Sequence, residues 1–141
     1  MTRDDVPDHD LDTLLNLDGW TAEIGGGFWV SVTAFRVPAD LGRPRGINYS
    51  LTLHRPGGQR LLGYDNAHFP SIGSGPARKS RRTGRGQDHR HRRDRITWYD
   101  FDSAAKLMED FWNDVRSLLR EEGVPWMERK PYTSASLRPA T

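Results

Sequence analysis

Apolar and polar residues alternate through two central runs of the chain. In "FWVSVTAFRV" Phe28, Val30, Val32 and Ala34 fall on one side and Trp29, Ser31, Thr33 and Phe35 on the other. In "INYSLTLH" Ile47, Tyr49, Leu51 and Leu53 oppose Asn48, Ser50, Thr52 and His54. A period of two predicts strands with one buried face. "WTAEI" before Gly25–Gly27 predicts an earlier strand, and the Pro/Gly turn "RPGGQ" leads into a further one, "RLLGYDN". "RITWYDF" resumes strand character late in the chain and predicts the fifth and last strand.

Helical spacing appears at both ends of this series. Leu11, Leu14 and Leu15 predict a short amphipathic opening helix that lies over the core. After Ser103, a natural N-cap, residues Ala104, Leu107, Met108, Phe111, Trp112, Val115, Leu118 and Leu119 form one apolar stripe until Gly123 and Pro125 end it. The expected fold is α+β: an antiparallel five-stranded meander sheet, a short N-terminal helix, and one long C-terminal helix packed on the sheet. Residues 1–123 are read as a single domain with a basic flexible loop at 69–93. Residues 124–141 have no period and several prolines, which predicts an extended or disordered tail.

Charge adds what the apolar pattern does not show. The net charge is +2, but residues 78–95 carry nine Lys/Arg against Asp88 and Asp94, a net +7. The other 12 basic and 17 acidic residues leave the remainder at −5. A basic stripe on an acidic body suits a polyanion such as nucleic acid, and Arg81, Arg82, Arg85, Arg90, Arg92 and Arg93 are the candidate phosphate contacts. The competing reading is a solvated basic loop. With no cysteine among its 141 residues, the chain has neither disulfides nor thiol chemistry. No apolar run is long enough for a membrane span and the N-terminus is too polar for a signal peptide, so the expected location is cytoplasmic.

The candidate chemistry lies in "YDNAH" and "DHRH". If the strand ending at Asp65 neighbours the one that follows "DHRHRRD", then Asp65, Asn66 and His68 meet Asp88, His89 and His91. Histidines beside arginines can move protons and stabilise phosphorane charge, as RNA cleavage requires. The candidate acid/base residues are therefore His68, His89 and His91, with Asp65 or Asp88 orienting an imidazole and Asn66 in support. A metal site at Asp65, His68, His89 and His91 uses the same side chains. That is the lesser reading, because adjacent arginines disfavour a cation, and no cofactor is expected.

The blocks "GINYSLTLHRPGGQRLLGYDNAHF", "DHRHRRDRITWYDF" and "SAAKLMEDFWNDV" together resemble the TumE family of bacterial toxin–antitoxin toxins, over about residues 11–122. The resemblance implies a growth-inhibiting toxin neutralised by a cognate antitoxin, usually a helix-turn-helix DNA-binding protein. The matching positions are Asp65, Asn66, His68, Asp88, His89, Arg90 and His91. The expectation from residues and resemblance together is an endoribonuclease toxin without a metal. The alternatives are a non-catalytic inhibitor that binds nucleic acid or the ribosome, and a His/Asp metal-dependent nuclease.

Overall fold

The computed structural model describes residues 9–67 and 87–125. In chain order the elements are α1 (His9–Asn16), β1 (Thr21–Gly25), β2 (Phe28–Arg36), β3 (Ile47–His54), β4 (Arg60–Asp65), β5 (His89–Arg92), β6 (Arg95–Trp98) and α2 (Ala104–Glu121). The strands form one antiparallel sheet in sequence order, a meander. The α+β architecture is the expected one, but the sheet has six strands where five were expected.

The added strand is β5, inside the segment expected to be loop. Its sequence "HRHR" contains no apolar residue, so an apolar alternation could not reveal it. It forms because its backbone is paired on both sides, with β4 and with β6. Consequently β6 does not neighbour β4; β5 lies between them and brings "DHRH" directly against the end of β4. A two-residue turn at Arg93 and Asp94 joins β5 to β6, with Arg93 in the left-handed region at φ 54°.

One face of the sheet carries the core. Val30, Val32, Tyr49, Leu51, Leu53, Leu62 and Tyr64 are buried with Leu14 of α1 and the stripe of α2, including Leu107, Phe111, Trp112, Val115 and Leu118. Burying one such side chain contributes about 1.5–3 kcal/mol, so this apolar layer is the main source of stability. Ser103 caps α2 by accepting from the Lys106 backbone N–H at 3.1 Å. The opposite face follows from the same registers. Thr33, Ser50, Asp65, His89 and Trp98 form one row across the strands, and Ser31, Thr52, Gly63, His91 and Ile96 form the next. Among the described residues no helix packs on this second face, and none is long and apolar enough to cross a membrane.

Candidate functional site

Strand register builds the cluster. Asp65, the last residue of β4, pairs with His89, the first of β5, and His91 follows on the same face because side chains alternate along a strand. The His89 Nε2 lies 3.0 Å from Asp65 Oδ1, and His91 Nε2 lies 3.9 Å from Asp65 Oδ2. Thus one carboxylate faces two imidazoles, whose ring centres are 4.9 Å apart.

The two histidines differ in environment. The His89 side chain is 2% exposed and sits between two acceptors, since its Nδ1 lies 2.8 Å from the Gln87 carbonyl oxygen. A neutral imidazole carries one N–H, so a ring facing two acceptors is best satisfied by carrying both protons. Burial works against that charge. The hydrogen bonds to Asp65 and to the Gln87 carbonyl outweigh burial and raise the His89 pKa, and Asp65 is held below the usual carboxylate range by its bond to His89 despite its own burial. His91 goes the other way, to about 4: burial disfavours its charge, and the neighbouring cations Arg60 and His89 repel a further proton more than Asp65 attracts one. His91 is therefore neutral near pH 7 and has a ring nitrogen available to accept a proton.

Arg60 completes this face. Its side chain lies across Gly63, where an added Cβ would stand 3.4 Å from the Arg60 Cδ and 3.6 Å from its Nε. Those are ordinary van der Waals separations, and they place the Arg60 side chain over the residue paired with His91. Arg60 is exposed and has neither a hydrogen bond nor an ion pair among the described residues.

The remaining sequence candidates are elsewhere. Arg90 and Arg92 point to the helix face, where Arg90 pairs with Asp114 at 3.2 Å and Arg92 with Glu121 at 2.9 Å. Arg93 pairs with Glu121 and Glu122, both at 3.0 Å. These three arginines tie the β5–β6 hairpin to α2 and are separated by the sheet from His89 and His91. Asp88 also turns away: its Oδ1 accepts from the Tyr49 hydroxyl at 2.7 Å, and burial raises its pKa against that bond. Asn66 extends the β3–β4 ladder with its side chain, accepting from the Tyr49 N–H at 3.0 Å and donating to the Ile47 carbonyl at 2.8 Å. His68, Arg81, Arg82 and Arg85 lie outside the described residues.

The same cluster has metal-ligand geometry. Asp65, His89 and His91 each offer one ligand atom, and these atoms lie within 4.8 Å of one another. Two imidazoles and one carboxylate suit a borderline ion such as Zn²⁺, and the bond from His89 Nδ1 to a carbonyl would orient Nε2 for ligation. Sequence reasoning missed Arg60, which shows no motif. Its only signal is its place in the strand register, at the start of β4 opposite His54.

No curated protein and no solved structure matches this chain at a significant level. A family model described as toxin TumE matches residues 13–119, which takes in α2 almost to its end and every strand of the cluster. With that match covering most of its length, the chain belongs to the TumE toxin family.

Proposed function

We propose that this toxin cleaves RNA by proton transfer at His91, with Asp65 and His89 holding the site and Arg60 stabilising charge on the phosphate. One observation carries the reading: two histidines share a carboxylate, and their surroundings push their protonation in opposite directions. Such divergence between adjacent titratable groups is how one site supplies a proton acceptor beside a fixed charge.

In the proposed step His91 takes the proton of a ribose 2′-hydroxyl and the 2′-oxygen attacks phosphorus. The new P–O2′ bond replaces the P–O5′ bond, giving a 2′,3′-cyclic phosphate, while the leaving 5′-oxygen takes a proton from solvent. Asp65 Oδ2 faces the imidazolium that forms on His91, and His89 keeps Asp65 in place from behind. His89 is too buried to meet a substrate, so it acts as a positioning residue. A phosphodiester set against Arg60 cancels part of the repulsion that depresses His91, which raises its basicity once substrate is bound. Residues 68–86, which separate β4 from β5 in the sequence, carry five Lys/Arg and no acid, a composition that favours a polyanionic substrate. An antitoxin, with a helix-turn-helix protein as the expected type, is the partner implied by the family.

The donor set of Asp65, His89 and His91 supports a second reading, a metal-dependent nuclease. Incubation with total RNA in EDTA, for the wild-type chain and for His91→Ala, separates the two. The acid/base reading predicts EDTA-resistant cleavage that falls by about 10²–10⁴ in the variant. Cleavage that EDTA abolishes selects the metal, and EDTA-resistant cleavage that survives the substitution overturns the role of His91.

A further inference from the structure

The sheet face that carries the cluster has a second feature, two strands away. Trp29 and His54 stand opposite each other on β2 and β3, with rings stacked 3.9 Å apart and 9° from parallel. His54 is fixed in that pose because both ring nitrogens are engaged, Nδ1 with the Gly58 carbonyl at 3.0 Å and Nε2 with the Thr52 hydroxyl at 3.0 Å. The indole is only half-buried, and among the described residues no helix covers it. A flat, immobilised pair of rings at a water-facing position costs little further ordering when another planar group stacks on it.

Arg60 connects this pair to His91. Its backbone is opposite His54, and its side chain runs over Gly63, the residue paired with His91. From His54 to His91 is two strands and one pleat repeat, about 12 Å. That distance is within reach of a few nucleotides of a single strand. Between them lie Thr52, whose hydroxyl meets the His54 Nε2, and Gly63.

We propose that this sheet face binds unpaired RNA, one base stacking on the Trp29–His54 pair while Arg60 holds the phosphate that leads on to His91. The proposal rests on the reading that the cluster acts on RNA and specifies the form of that RNA. Every base has a π-face, but a duplex keeps its bases in the stack and its flat faces out of reach, so the platform selects single strands without demanding a sequence.

Binding is measured with full-length His91→Ala, so that cleavage plays no part. Fluorescence anisotropy uses a labelled oligoribonucleotide, alone and annealed to its complement. The proposal predicts that the single strand binds at least tenfold more tightly than the duplex. It also predicts that adding Trp29→Ala weakens single-strand binding by about 5- to 100-fold, while Trp29→Phe recovers most of it. Thermal unfolding of each variant separates lost binding from lost fold. Equal binding by the alanine variant, or by the duplex, overturns the proposal, as does an absence of RNA binding. Trp29-dependent binding by a wild-type chain that fails to cleave RNA leaves the platform standing and removes the ribonuclease reading instead.

Discussion

His89 and Asp65 face each other across the β4–β5 pairing with 3.0 Å between Nε2 and Oδ1, and the histidine side chain is 2% exposed. The carboxylate thereby favours the protonated form of a buried imidazole and presents its other oxygen towards His91. Replacing Asp65 with Asn keeps the shape and removes the charge. The variant is expected to lose RNA cleavage and about 1–3 kcal/mol of stability, read from denaturant unfolding. Stability equal to wild type would mean that His89 is neutral in the folded protein.

Opposite signs should appear in the pH dependence of stability. His89 has its pKa raised from 6.5, so its contribution is complete below 6.5 and is lost as pH rises through the folded value. Asp65 is lowered from 3.8; its contribution is present above 3.8 and is lost as pH falls through the folded value. His91 is depressed from 6.5 to about 4, so its contribution is present above 6.5 and is lost as pH falls towards 4. Unfolding midpoints measured from pH 3 to pH 9 should therefore fall off on both sides. His91→Ala should flatten the limb between 6.5 and 4, and His89→Ala the limb above 6.5.

Arginines on the two faces of the sheet should behave differently. Arg60→Ala is expected to weaken RNA binding and lower the slope of log K against log salt by about 1, as one lost phosphate contact would. Arg92→Ala and Arg93→Ala remove partners of Glu121 on the helix side and should leave that slope unchanged. Salt titrations of RNA binding check this; a slope that falls for Arg92→Ala and stays fixed for Arg60→Ala would put the RNA on the other side.

Asn66 is expected to matter to the fold more than to the chemistry. Its amide serves the Tyr49 N–H and the Ile47 carbonyl, both in the buried layer. Asn66→Ala leaves two backbone groups without partners, at a cost of about 2–4 kcal/mol. Amide exchange at Tyr49 should speed up in that variant, and unchanged protection would contradict the assigned role.

Much of this was legible in the sequence, for physical reasons that differ by element. The strands β2 and β3 and the helix α2 follow from alternation and helical spacing, because apolar burial is what holds them. β5 escaped because its side chains are satisfied by charge. Arg90 and Arg92 reach the acids of α2 on one face, while His89 and His91 share Asp65 on the other. The meeting of Asp65 with His89 and His91 was expected from a pairing of β4 with the "RITWYDF" strand; the structure puts β5 between those two, and the β4–β5 register makes the contact. The arginines were misleading because a run of like charge does not say which face each residue takes. An alternation of His and Arg, read against Asp114, Glu121 and Glu122, holds that information once a strand is assumed. Arg60, Trp29 and His54 depend on register between strands, including the irregular pairing near His54, and no local motif encodes it.

The central claim is that His91 deprotonates a 2′-hydroxyl. An oligoribonucleotide cleaved at one site should be compared, in EDTA, with the same molecule carrying 2′-deoxyribose at that position, and the product ends identified by mass. The account predicts a 2′,3′-cyclic phosphate and a 5′-hydroxyl from the ribose substrate and no cleavage of the deoxy one. Cleavage of the deoxy substrate, or a 5′-phosphate product, would contradict it.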